Sequence, residues 1–214
     1  MVRVLWDIDH TLIATRGVGR ELSAVAFEQV LGVPMREQAL IDGITEPVIF
    51  RETAKLHNIM TSRGDFGRFA DALAEQHLAR SAELRERGHA LSGAAAVLDA
   101  LDAAGAVQTV VSGNVRPVAE IKLQVFGLDR HIRWEVGAYG EDAEERADLV
   151  ALALQRADCP VAGAVLIGDT PADVKGGHAH GVRVIAVATG RSDAAELRAA
   201  GAEVVVADLR DTER

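Results

Sequence analysis

The chain has 214 residues, of which 49% are hydrophobic, 26% charged and 4% aromatic. This composition excludes collagen-like, low-complexity and disordered chains, and at roughly 150 residues per domain the length allows one large domain or one domain carrying an insertion. Lys and Arg number 23 against 32 Asp and Glu, a net charge of −9, which disfavours nucleic acid and anionic membrane surfaces as partners because both need clustered cations. The single cysteine, Cys159, rules out an intramolecular disulfide and fits a reducing compartment. The N-terminal apolar run is too short for a secretory signal, and no run approaches the ~20 residues of a membrane span, so a cytoplasmic protein is expected.

In chain order, Val2 to Trp6 is a short, apolar run followed by Asp7-Ile8-Asp9-His10-Thr11, and it reads as a buried strand. From about Thr15 to Gly88 no convincing strand occurs. Gly19 to Leu31, Val48 to Leu56 and Phe66 to Leu84 have helical spacing, punctuated by Gly32-Val33-Pro34 and Asp42-Gly43. Ala94 to Ala104 is a helix ending at Gly105, and Ala106 to Val111 is a strand ending in Ser112-Gly113-Asn114. Pro117 to Phe126 is helical, Trp134 to Gly137 is a weak strand candidate, and Ala147 to Ala157 is helical again. Val161 to Ile167 is a strand ending in Gly168-Asp169-Thr170, followed by a helix over Ala172 to His180. The strand Val182 to Val187, the helix Ala194 to Ala200 and the strand Glu203 to Val206 complete the chain. Strands alternating with helices imply a mainly parallel sheet, an α/β Rossmann-like core in three layers. An all-α insertion follows its first strand. The expected organisation is a core of residues 1–14 and 89–214 with a helical insertion at 15–88.

Ligands of open parallel sheets bind beyond the carboxyl ends of the strands. The three strongest strands here all end in groups suited to one chemistry. Asp7 and Asp9 are two apart and point to the same side of an extended chain. Asp169 ends a second strand, with Asp173 four residues on where a helix starts. Carboxylate oxygens without soft ligands suit Mg²⁺. Ser112 offers a hydroxyl, Gly113 allows a ligand to approach closely, and backbone amides at a helix start favour an anion.

These residues resemble the motifs of the haloacid dehalogenase superfamily. Asp7-Ile8-Asp9-His10-Thr11 matches its DxDx[TV] motif, Ser112 its strand-ending Ser or Thr, and Gly168-Asp169-Thr170-Pro171-Ala172-Asp173 its GDxxxD. The insertion falls where that family carries a helical cap. The family's Lys or Arg falls on Arg146, at the start of a helix, in preference to Lys122, which lies inside one. The resemblance implies an enzyme, a phosphoric monoester hydrolase similar to phosphoglycolate phosphatases, acting on a small phosphorylated metabolite. It implies Asp7 as the nucleophile that forms an aspartyl-phosphate, and Asp9 as the acid and base. Mg²⁺ would be held by the Asp7 carboxylate, the Asp9 carbonyl and the Asp169 carboxylate, with Asp173 behind them. Ser112, the Gly113 and Asn114 amides and Arg146 would hold the phosphoryl oxygens. A phosphomutase shares the first motifs and is the alternative. The acid at Asp9 disfavours a dehalogenase, and the complete motif set disfavours a silent binding module. The resemblance implies no particular oligomeric state.

Simpler readings stand beside these. Thr11 either caps the turn after Asp9 or touches ligand, and Asn114 is either a helix cap or a ligand-binding amide. His178 and His180 are two apart, share no helix face, and read as an exposed pair. Arg16, Arg20, Arg51 and Lys55 read first as solvated helix charges, and Gly43 as either an interhelical turn or a loop facing the site. Trp6 and Trp134 are expected in the core.

Overall fold

A computed structural model describes residues 2–158 and 160–210; Cys159 lies outside the described residues. Strand β1 (Arg3–Trp6) is buried between two cores. Its three apolar residues alternate between faces: Val4 and Trp6 enter one core, Leu5 the opposite one. β1 pairs in parallel with β4 (Val107–Val110) on one side and β5 (Ala164–Gly168) on the other; β6 (Arg183–Val187) and β7 (Val204–Val206) continue the sheet in the order β4-β1-β5-β6-β7. Helices α5 (Ala94–Ala103) and α6 (Arg116–Val125) cover the face of Val4 and Trp6 through Leu98, Ala119 and Leu123. Helices α7 (Arg146–Arg156), α8 (Pro171–Ala179) and α9 (Ala194–Ala199) cover the other face through Leu149, Val150, Ala153, Val174 and Leu197. The result is a three-layer α/β fold, as the alternation of strands and helices implied.

The register fixes the position of the site. Trp6 lies opposite both Val110 and Ile167, so β4, β1 and β5 end level. The Asp7 amide still donates to the Ile167 carbonyl at 2.9 Å, and the Val111 amide to the Trp6 carbonyl at 2.8 Å. Asp7, Ser112 and Asp169 therefore emerge along one edge.

Residues 15–88 fold as helices α1 (Val18–Leu31), α2 (Glu46–Leu56), α3 (Arg63–Ala79) and α4 (Ser81–Arg87). They are bracketed by a short antiparallel pair that the sequence did not signal, β2 (Ile13–Ala14) with β3 (His89–Ala90). Two residues per strand carry no periodicity to read. Phe27, Phe50, Phe69, Leu73 and Leu84 form a third core, which also takes Val115, Val118 and Val125 from α6 and its start. Phe50 stacks on Phe69 with centroids 4.5 Å apart and meets Phe27 edge-on at 6.1 Å. No helix among the described residues is long and apolar enough to cross a membrane.

Three expected elements differ. The helix expected over Phe66 to Leu84 is two helices, because Arg80 leaves helical geometry at φ −107° and ψ 24°, which redirects the chain and buries Leu84. Trp134 to Gly137 is a 3₁₀ turn (Trp134–Val136), not a strand: beside β4 the chain makes only single bridges, at Ile132 and Ala138, and the Gly137 amide bonds locally to Trp134. The strand expected from Val161 starts at Ala164, after a 3₁₀ turn over Val161–Gly163.

Phe50→Ala should remove the ring that Phe27 and Phe69 both pack against. The expected loss is ~3–5 kcal/mol in urea unfolding. A loss under about 1 kcal/mol would mean that this aromatic cluster does not hold the helices.

Candidate active site

At the edge where the strands end, one oxygen from each of Asp7, Asp169 and Asp173 lies within 4.8 Å of the others, and all three residues are buried. Asp7 and Asp169 are the first residues after β1 and β5. Asp173 is the third residue of α8 and closes a capping box there, taking the Thr170 amide at 3.1 Å and the Thr170 hydroxyl at 2.6 Å. Thr11 Oγ1 lies 3.2 Å from Asp7 Oδ2 and 3.3 Å from Asp169 Oδ1, so its single hydrogen is shared between two carboxylates. Thr11 thus touches the carboxylate cluster rather than only capping its turn. Arg146, the first residue of α7, reaches in beneath them. Its Nη2 donates to Asp7 Oδ1 at 3.1 Å and its Nη1 to the Val111 carbonyl at 2.8 Å. Its Nε makes a close ion pair with Asp173 Oδ1 at 3.2 Å without hydrogen-bond alignment.

Three carboxylates and one guanidinium do not balance. Burial, then the Asp173 charge, push the Asp7 carboxyl well above the usual range, although Arg146 opposes the shift. Burial, then Asp7 and Asp173, push Asp169 up as well. Burial works against the charge of Arg146, but Asp173 and Asp7 outweigh it and raise its pKa further. An all-oxygen, anionic donor set short of positive charge fits a hard divalent cation.

The Asp9 side chain faces away from this cluster. Lys122 Nζ donates to both its oxygens, at 2.9 and 2.7 Å, and to Asn114 Oδ1 at 2.7 Å, while Asn114 Nδ2 reaches Asp9 Oδ2 at 2.7 Å. Burial alone would raise the Asp9 pKa. The Lys122 charge and the hydrogen bonds of Lys122 and Asn114 outweigh it and hold the carboxyl below its ordinary value.

Both cations weighed for one role are therefore present, on different carboxylates: Arg146 on Asp7, Lys122 on Asp9. Ser112 is fully buried, and its Oγ accepts from the Asn114 amide and side chain, at 3.2 and 2.8 Å. Asn114 does not cap α6; Val115 holds that position. Gly113 is open for a different reason than expected: what approaches it is the protein itself, since a Cβ there would stand 2.4 Å from the Ile44 carbonyl oxygen. Gly43 faces the site, at φ +72° and against Ala172 and Thr170. Of the four cations at Arg16, Arg20, Arg51 and Lys55, Arg20 lines the cavity, while Arg51 pairs with Glu144 and Glu52 and Lys55 with Glu52. Trp6 is fully buried and Trp134 partly buried, both in the first core. His178 is exposed at the end of α8, whereas His180, which follows that helix, is half-buried with its Nε2 shielded, so only the first of the expected exposed pair is exposed. Sequence reasoning missed Glu46, His77 and Gly190. Glu46 and His77 are ordinary helix residues in sequence, and only folding turns them toward the cavity. Gly190 lies against Asp169 so closely that a Cβ would sit 1.7 Å from its Oδ2. A Thr-Gly pair just past a strand end is the signal that could have found it.

The chain matches the family of haloacid dehalogenase-like hydrolases over residues 4–178 and a second HAD-hydrolase-like description over residues 146–212. It belongs to the haloacid dehalogenase-like hydrolases. Among curated proteins it is similar to the tyrosine-protein kinase PtkA of Mycobacterium tuberculosis, 26% identical over 87% of this chain and 62% of that protein, so it spans less than two thirds of that relative. It is also similar to a candidate pyrophosphatase, PpaX, of Caldanaerobacter subterraneus, 27% identical over 86% of this chain and 80% of that protein. Among solved structures, a Haemophilus somnus protein named by prediction as a phosphoglycolate phosphatase shares the fold, with a TM-score of 0.67 at 14% identity, over 98% of this chain and 95% of that one.

Because the Asp7 and Asp169 pKa values are raised on folding, the folded protein holds protons that the unfolded chain has released above about pH 4. Their contribution to stability is complete below that value and is lost as pH rises. In chelator, urea midpoints should fall between about pH 5 and about pH 8, and Asp7→Asn should flatten the slope. An equal slope in both proteins would contradict the repulsion.

Proposed function

We propose that this protein is a Mg²⁺-dependent phosphatase that hydrolyses a small phosphomonoester, of about the size of phosphoglycolate, through an aspartyl-phosphate on Asp7. The observation that carries this reading is the opposite treatment of two carboxylates two residues apart. Asp7 faces a cation-deficient cluster, while Asp9 is held by a lysine and an amide. Bound divalent charge would offset the repulsion that raises the Asp7 carboxyl and leave it ionised as a nucleophile, while Asp9, once it leaves Lys122, loses the charge that holds its carboxyl low and can carry a proton.

In this reading Asp9 takes a proton from solvent as it leaves Lys122; an Asp7 oxygen then bonds to phosphorus as the bond to the leaving oxygen breaks, and the leaving oxygen takes that proton from Asp9. Asp9 then takes a proton from the water that hydrolyses the aspartyl-phosphate. To do either, Asp9 turns from Lys122, its resting partner, toward the phosphoryl group. Arg146 fixes the Asp7 carboxylate, and together with Ser112 and the Gly113 and Asn114 amides it holds the phosphoryl oxygens. The Asp7 and Asp169 carboxylates and the Asp9 carbonyl would hold Mg²⁺, with Asp173 behind them. When bound, the ion supplies positive charge against which a phosphate dianion can approach two carboxylates. Residues 15–88 act as a cap over a core of residues 1–14 and 89–214, and choose the substrate. A net charge of −9 supports a small metabolite over nucleic acid as the partner.

Asp7→Asn should lower turnover of an aryl phosphate by roughly a thousandfold or more while circular dichroism stays unchanged. Chelator should abolish the wild-type activity and Mg²⁺ restore it. Full activity of Asp7→Asn would overturn the assignment. Interconversion of hexose phosphate isomers with little phosphate release would replace it with a phosphomutase.

A further inference from the structure

The cavity above the carboxylates, about 140 Å³, has room for a group of a few carbons. Its polar lining is lopsided. Lys122 has three donor hydrogens, and two Asp9 oxygens and Asn114 Oδ1 engage it. Arg146 is buried against Asp7, Asp173 and the Val111 carbonyl. The further cation of the lining, Arg20, is exposed.

The acceptors are in the opposite condition. His77 on α3 is 2% exposed and lines the cavity. Its Nδ1 lies 2.8 Å from the Leu73 carbonyl, which makes Nδ1 the protonated nitrogen and leaves a lone pair on Nε2; that atom is buried without a partner. Burial, then the Lys122 charge, push the His77 pKa down to about 4, so the ring is neutral near pH 7. Glu46, the first residue of α2, also lines the cavity and keeps Oε2 buried without a partner. Burial pushes its pKa up to about 7, and with or without the proton it keeps an oxygen that accepts. Both residues line the same cavity as Lys122 and Asp9. Buried acceptors left unpaired are costly, and a ligand donor relieves that cost.

We infer that Glu46 and His77 form a recognition site for a hydroxyl on the leaving group, so that the substrate is a hydroxyl-bearing phosphomonoester of the polyol type. The inference rests on the phosphatase reading and narrows its substrate. In the resting site a carboxylate at this position, as in phosphoglycolate, would meet the Glu46 carboxyl and a bare imidazole lone pair, with Lys122 already held by Asp9 and Asn114.

Binding tests this without turnover. In Asp7→Asn protein with Mg²⁺, titration calorimetry should show glycerol phosphate binding about tenfold tighter than propyl phosphate, which has the same carbon chain without hydroxyls. Phosphoglycolate should also bind more weakly than glycerol phosphate. His77→Leu and Glu46→Met in that background should each bring the glycerol-to-propyl ratio to within about twofold. Glu46 is only half buried at a helix start, so its variant tests the site even if His77→Leu fails to fold. Equal binding of the two esters by the parent, a ratio that survives substitution, or phosphoglycolate binding most tightly would each overturn the inference. Aryl phosphate turnover by the wild-type protein is a separate measurement. Its absence would remove the catalytic reading, while the binding ratio would still decide the recognition site.

Discussion

The constraint on which the structure turns is the enclosure of three carboxylates with one guanidinium beneath them. Like charges this close do not ionise together at ordinary cost, and everything around Asp7, Asp169 and Asp173 limits that cost. Level strand ends deliver Asp7 and Asp169 to one edge. The start of α8 meets Asp173 with the Thr170 amide and hydroxyl. The start of α7 delivers Arg146 from the other direction. Glycine completes the fit: a Cβ on Gly168 would stand 2.4 Å from Asp173 Cγ, so the chain can pass there only without a side chain.

Asp9 shows how a sheet can treat two neighbouring carboxylates differently. The backbone turns at His10, which takes the left-handed conformation at φ 64°, and the Asp9 side chain leaves the cluster for α6. That helix has a double duty. Its apolar residues split between the sheet, through Ala119 and Leu123, and the inserted helices, through Val118 and Val125. Lys122 sits between these sets and comes out beneath Asp9. Its aliphatic stem is buried with them while its ammonium is fully engaged, so the packing of two cores and the placement of one charge depend on the same ten-residue helix.

The sheet was legible because most of its strands are largely buried and rich in β-branched apolar residues, and even β4, with Gln108 and Thr109 inside it, is flanked by apolar residues. The polar residues that end those runs were legible for the same reason, being where burial stops. Arg146 could be found by its position ahead of a helix. The lysine was harder: Lys122 has ordinary helical spacing, and only the crossing of α6 over the sheet edge brings it to Asp9. Glu46 and His77 lay beyond reach for a related reason. Their relation to the site depends on how two helices pack, and amphipathic spacing specifies which face is buried without specifying what that face meets. The break at Arg80 was missed because helical periodicity continues across it, while a two-residue strand pair is too short to have a period.

One seam remains, between the start of α2 and the loops that follow β4. The Glu46 amide donates to the Gly113 carbonyl, and the Gly140 amide to that of Asn114, at 2.9 and 2.8 Å. A Cβ on Gly140 would stand 2.1 Å from the Gly113 carbonyl oxygen. The joint is main chain against main chain. Its chemistry is nearly indifferent to the identity of the surrounding residues, yet it tolerates no side chain at two positions. A lineage can therefore rewrite the walls of the cavity, and with them the choice of substrate, without re-engineering the joint that aligns those walls with the reacting carboxylates.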